Sequence, residues 1–120
     1  MSRMRLVCRI GFFIALVAVI AGSLVPNPWL SGHVPQNDKF THMAGYFALA
    51  MLAAMGWPRF RGLALVGLPL LGLALEAAQT LTPTRGFSWL DAGANAVGIG
   101  LAVAMSALLT RWITREQKPR

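Results

Sequence analysis

The sequence predicts an all-α integral membrane protein, a bundle of four transmembrane helices with the N and C termini both cytoplasmic. Three observations carry that expectation. The first is composition: of the 120 residues 56% are hydrophobic and 12% charged, with a mean hydropathy of +0.57, whereas soluble domains carry about a quarter charged residues. The second is the grouping of the apolar residues into blocks at 6–25, 41–57, 62–81 and 91–110, each close to the roughly 20 residues that cross a hydrocarbon core of about 30 Å. The third is the placement of charge. Arg3, Arg5, Arg9, Arg59, Arg61, Arg111, Arg115, Lys118 and Arg120 fall on one side of that topology, and only Lys39 and Arg85 on the other. Cytoplasmic loops carry such an excess of Lys and Arg.

Helix one, 6–25, follows MSRMR and so matches the start of a secretory signal as well as an anchor. It is read as a retained anchor, because its apolar stretch exceeds a usual signal core and Ala21-Gly22-Ser23 is a mediocre cleavage site. Cys8 is the single cysteine, cannot form an internal disulfide, and is read as a small lipid-facing or packed residue. The outer segment PNPWLSGHVPQN is rich in Pro, Asn and Gly and should be an irregular loop, with His33 exposed in it. Helix two, 41–57, is the shortest block and opens on DKFTH. Helix three, 62–81, follows the basic turn that holds Arg59 and Arg61; helix four, 91–110, leads into the basic tail. That tail can touch anionic lipid headgroups. Trp29 and Trp89 fall in the outer loops and Trp57 and Trp112 at the cytoplasmic ends, where an aromatic belt is expected. The net charge of +7 is spent on topology, and nucleic acid is excluded as a partner.

Every unusual polar residue faces the outer side. Asp38 and His42 are four apart and would share a helix face, with Gly45 behind them and Tyr46 on the adjacent face. Glu76 and Gln79 share a face with Gly72 and Pro69, and Glu76 stands five residues short of the end of its block, about 7 to 8 Å inside at 1.5 Å per residue. Asp91 and Asn95 continue into Gly98 and Ala102. A second small-residue stripe, Ala92, Ala96, Gly100 and Ala104, offers another close-packing surface on helix four. An ionised carboxylate at depth costs several kcal/mol and normally faces the bundle interior with a partner. The expected result is a polar chamber opening outward, nearly neutral because Lys39, Arg85 and His42 stand against Asp38, Glu76 and Asp91. Glu76 should lie beside Asn95 and within reach of His42 or Arg85, with Asp91 and Lys39 nearer the rim.

Several chemistries compete for these residues. Asp38, Lys39 and Arg85 near helix ends are also explained by snorkelling to water, and Asp91 by an acid at the start of a helix. His42 with Asp38, Glu76 and Asp91 offers metal-ligand atoms, but there is no HExxH and no paired-Cys spacing, so no metal is assigned and no cofactor is expected. Ser88 sits in no GxSxG-type elbow. Acid–base work by Glu76, His42 and Asp91 forms the catalytic hypothesis, since burial raises a carboxyl pKa. Asp38, Lys39, Tyr46, Gln79, Arg85 and Asn95 would then contact the substrate. Proton or ion relay by the same carboxylates is the transporter version.

DKFTHMAGYFALAML followed by EAAQTLTPTRGFSWLDAGANAVGIG resembles the VanZ-like family of small bacterial membrane proteins. Asp38, Lys39, His42 and Tyr46 match that family's first block; Glu76, Gln79, Pro83, Arg85, Asp91, Asn95 and Gly98 match its second. The resemblance covers 38–100 and implies one VanZ-like membrane domain over 1–120, placed in the bacterial inner (cytoplasmic) membrane. For the founding member it implies low-level resistance to the glycopeptide teicoplanin; it supplies no established reaction. The functional expectation is a cell-envelope protein whose outward chamber binds or modifies an anionic lipid or a peptidoglycan-linked group. Its partners would be membrane lipids and a lipid-linked or cell-wall precursor. The alternatives are a non-catalytic membrane assembly subunit and a small oligomeric transporter.

Overall fold

The computed structural model describes residues 2–24, 38–81 and 89–116, with backbone alone for 38, 39, 113 and 114. The described residues form four α-helices and no strand: α1 Arg3–Leu24, α2 Asp38–Gly56, α3 Arg61–Gln79 and α4 Trp89–Glu116. A single 3-10 turn, Pro58–Phe60, joins α2 to α3. Proline at its first position needs no hydrogen-bonded N–H there and has its φ already set for the turn. Pro69 lies inside α3 without ending it, as a helix bordered by other helices tolerates. The expected loops around Trp29, His33 and Arg85 lie outside the described residues.

Three helical stretches, Arg3–Leu24, Pro58–Gln79 and Trp89–Trp112, are long and apolar enough to cross a membrane; the apolar part of α2, Phe40–Gly56, is shorter. The sequence had suggested four such spans. The difference arises because α2 spends its first turn on polar residues. α2 is also the helix that the others surround: Leu49 is 0% exposed, Tyr46 1% and Ala50 3%. The outward faces of the other three remain apolar, as Val17, Leu63, Leu70 and Leu108 illustrate. A bundle in water would turn such faces inward; one in hydrocarbon has no reason to.

The helices alternate in direction. Gly11 meets Leu52 and Gly45 meets Val19, so α1 and α2 are antiparallel; Gly72 meets Tyr46 and Asn95, so α3 runs against both α2 and α4. α2 and α4 are therefore parallel, and their contact is the most extensive in the molecule, whereas α1 and α4 do not touch. The α2–α4 crossing is set at Gly98. A Cβ added there would run into the Met43 carbonyl oxygen and come within 3.2 Å of the Phe47 nitrogen. Only a residue without a side chain lets two helix backbones approach so closely. Asn95, Gly98, Ile99 and Ala102 form the buried side of α4. The stripe Ala96, Gly100 and Ala104 is exposed instead, with Ala92 half-buried, so that expected second packing surface does not form within the chain.

α1 is tied to the bundle at both ends. Near its start the Arg9 Nε donates 2.9 Å to the Gly56 carbonyl, one of the groups left open where α2 ends. The same guanidinium lies 5.1 Å from the centre of the Trp57 ring, against which Phe12 and Phe13 pack edge-on. At the other end the Gln79 Nε2 donates 2.9 Å to the Ser23 carbonyl. Between these ties a cleft of about 640 Å³ opens, lined by Phe12, Phe13, Leu16, Trp57, Leu63 and Leu68. Cys8 is buried, the packed alternative of the two expected for it.

Gly98→Ala should destabilise the bundle by about 1–3 kcal/mol, the range for forcing extra carbon into a filled space. Gly100→Ala, whose added carbon would meet nothing within 4 Å, should be neutral or gain up to about 1 kcal/mol in helix propensity. Denaturant unfolding of the detergent-solubilised protein reads both. Equal effects would remove the assignment of Gly98 as the crossing point.

Candidate functional site

The polar residues of three helices meet at one end of the bundle, in two layers one helical turn apart. The upper layer holds His42 from the second turn of α2, Glu76 from the last turn of α3 and Asp91 from the first turn of α4. One ligand atom from each lies within 4.8 Å of the other two. The His42 Nδ1 stands 3.7 Å from the Asp91 Oδ2, an ion-pair distance too long for a hydrogen bond. The lower layer holds Tyr46, Gly72 and Asn95, each four residues deeper along its helix than its upper-layer neighbour. A Cβ on Gly72 would lie 3.1 Å from the Asn95 Nδ2 and 3.5 Å from the Tyr46 hydroxyl. Gly72 is thus the gap into which two polar tips fold. Below them the bundle becomes apolar, with Leu49, Ala50, Leu68, Ile99 and Ala102 closing the core.

The layering follows from sequence spacing. Side chains at i and i+4 stack on one helix face, so His42/Tyr46, Gly72/Glu76 and Asp91/Asn95 each contribute one residue to each layer. Glu76 is 2% exposed, Asn95 3% and Tyr46 1%, although all belong to types that prefer water or a polar partner. Glu76 and Asp91 both have polar partners, which a carboxylate in such surroundings requires. Three buried polar atoms have none among the described residues: the His42 Nδ1 and the Asn95 Oδ1 at this end, and the Arg61 Nε at the other.

His42, Glu76 and Asp91, the expected catalytic set, do come together. Asp91 is not at a rim apart from Glu76; the two share a layer with His42 between them. Glu76 is shallower than expected. α3 ends at Gln79, three residues on, so Glu76 is about 4.5 Å inside rather than 7 to 8 Å. The apolar run continues through Leu81, but the Thr80 and Leu81 amides bond three residues back, to the Ala77 and Ala78 carbonyls, which tightens the chain out of the α-helix. Asn95 lies six residues into α4, with its amide nitrogen against Gly72, one turn from Glu76 along α3. Gln79, expected to contact a substrate, donates through Nε2 to the Ser23 carbonyl and so fastens α3 to α1. The side chains of Asp38 and Lys39, and Arg85 altogether, lie outside the described residues.

The sequence gives no sign of Gly72 as the floor of the site, since a glycine on a small-residue face reads as general packing. The Ser23 carbonyl, being backbone, leaves no signal either. At the opposite end, Arg61 donates through Nη2 to the Thr110 hydroxyl at 3.4 Å. This joins the start of α3 to α4, at the end of the bundle away from the polar cluster.

Comparison with protein-family models, curated proteins and solved structures returned no match for the chain. The VanZ-like resemblance therefore rests on the motifs at 38–100 themselves.

A double-mutant cycle should register the upper layer as one unit. His42→Gln and Asp91→Asn should couple by about 0.5–3 kcal/mol, while His42→Gln and Thr110→Ala, at opposite ends, should add within about 0.5 kcal/mol. Unfolding free energies in detergent supply the four corners of each cycle. Additivity between His42 and Asp91 would dissolve the layer into separate residues.

Proposed function

We propose that this is a multi-pass protein of the bacterial inner membrane, with both termini cytoplasmic, that uses the His42–Glu76–Asp91 layer to bind or modify an anionic lipid or peptidoglycan-linked group of the cell envelope. The observation that carries the reading is the convergence of an imidazole and two carboxylates at one end of an otherwise apolar bundle. Buried ionisable groups are costly to keep in such surroundings, and they mark working sites more often than packing devices. α2 supplies the fourth pass in this reading. Its apolar part is short, but it is sheltered by its neighbours and meets little lipid.

The charge distribution supports the orientation. Nine basic residues accompany the other end of the bundle, whereas Lys39 and Arg85 belong to the end that holds the layer. Those two are the cations that an anionic head group would meet. The layer can then act by general acid–base chemistry, with the His42 imidazole and the Glu76 and Asp91 carboxyls as the proton-carrying groups. The VanZ-like motifs agree with an envelope role and with the glycopeptide-resistance association of that family. A second reading has its own observation. The Gln79 bond to the Ser23 carbonyl ties helices together, so one member of the motif acts in assembly. An assembly subunit would use the remaining members in the same way.

Two outcomes are expected. With Cys8 changed to Ser, a cysteine at position 33 should be labelled from the outer side of intact cells; labelling from the cytoplasmic side alone would reverse the topology. Glu76→Gln should reproduce the lipid or cell-wall precursor change that separates a deletion strain from its parent, with membrane levels of the protein unaltered. Lost levels or failed assembly would favour the packing role.

A further inference from the structure

The upper layer sets basic atoms against one another. The His42 Nδ1 faces the Asp91 Oδ2 at 3.7 Å, too far for a hydrogen bond. Glu76 brings a second carboxylate to within 4.8 Å of both, 2% exposed and cut off from the screening that water would supply. The His42 Nδ1 has no hydrogen-bond partner among the described residues. Nor does the Asn95 Oδ1, a 97%-buried acceptor (3% exposed) one helical turn below Asp91 on the same face of α4. An imidazole nitrogen and two carboxylates thus converge at one end of an apolar bundle, with the Asn95 amide oxygen one turn below, a donor set that suits a cation.

We propose that His42, Glu76 and Asp91 bind a divalent transition-metal cation, Zn²⁺ or Mn²⁺, through the His42 Nδ1 and one carboxylate oxygen from each acid. Mixed imidazole and carboxylate ligands select these ions over purely oxygen-seeking Mg²⁺ or Ca²⁺. Three protein ligands with further positions open is the arrangement of a catalytic rather than a structural site. Ligands about 2.0–2.2 Å from a tetrahedral ion lie about 3.3–3.6 Å from one another. The His42–Asp91 distance of 3.7 Å is close to that value, and all three ligand atoms lie within 4.8 Å of one another. Asn95 lies under the ligands, where its amide can orient a carboxylate or a metal-bound water. The cation also removes a difficulty in the proposed function. Two carboxylates repel an anionic head group, whereas the same pair neutralised by a divalent ion presents it with an open coordination position. The inference uses the same cluster as that function but not its substrate, and the measurements below keep the two apart.

The test uses the full chain with Cys8→Ser, purified in detergent behind a tag without histidine. Elemental analysis and titration with Zn²⁺ and with Mn²⁺ should find about one ion per chain. Binding should weaken at least about tenfold in Glu76→Gln and in His42→Gln, and stay unchanged in His33→Gln, the other histidine. Because either site variant can fold poorly, wild-type protein supplies two independent readings. Its midpoint of thermal unfolding should rise with added Zn²⁺ and fall back with chelator, and Co²⁺ should give ligand-field absorption bands that Zn²⁺ removes. Binding equal in wild type and variants, or none by any of these readings, would overturn the metal site. If the ion is absent while Glu76→Gln still reproduces the envelope change of the deletion strain, the proposed function stands without a metal. If the ion binds and Glu76→Gln keeps the envelope of the parent strain, the metal site stands and that function fails.

Discussion

The contact between Gly98 and the backbone of α2 is the constraint on which the rest of the bundle depends. It lies where two parallel helices press their main chains together, and it fixes both their separation and their axial register. Register matters because the polar residues are measured from it. Met43 follows His42 directly, and Asp91 stands two turns above Gly98 on the buried side of α4. The 3.7 Å between imidazole and carboxylate is therefore inherited from a contact made by atoms that have no chemistry of their own. α3 is held by a weaker form of the same device, with Gly72 leaving room for the tips of Tyr46 and Asn95. Two glycines, on two helices, position side chains contributed by all three.

Hydrophobic burial does little to organise such a protein, because a lipid tail is as apolar as leucine. What distinguishes one helix arrangement from another is close packing and the need of polar groups for partners. Both act here, and at different heights. Close packing governs the middle of the bundle, where Leu49, Ala50, Ile99 and Ala102 meet. Polar satisfaction governs the ends, through Arg9 on Gly56, Gln79 on Ser23 and Arg61 on Thr110. The His42–Glu76–Asp91 layer also lies at an end, but it joins groups that want the same thing, a positive charge. The His42 Nδ1 there has no hydrogen-bond partner among the described residues.

Much of this was legible in the sequence because helical spacing is rigid. The pairs at four-residue intervals, together with alternating helix direction, bring His42, Glu76 and Asp91 to one end with no further information. Depth was harder. Hydropathy runs on through Thr80 and Leu81 while the α-helix stops at Gln79, so the apolar block overstated the helix by two residues and sank Glu76 by about 3 Å. The choice between the two small-residue stripes of α4 was out of reach. Ala96, Gly100 and Ala104 look as suited to packing as Gly98 and Ala102, since smallness serves a tight interface and a bare outer face alike. Only the partner helix decides. The role of Gln79 was missed for a similar reason: its acceptor is a backbone carbonyl, which every residue has.

The two ties of α1 have a mechanical consequence. Arg9 and Ser23 are fourteen residues apart, about 21 Å along the helix axis, and between them α1 borders the cleft it shares with α3. α1 is thus a beam tied at both ends and propped between them by α2, where Gly11 meets Leu52 and Val19 meets Gly45. Bending it would widen or narrow the cleft without disturbing the joint of α2 with α4, which α1 does not share. Releasing the Gln79 support would turn the beam into a lever hinged at Arg9 and Trp57, with its free end swinging on the side of the molecule where Glu76 lies.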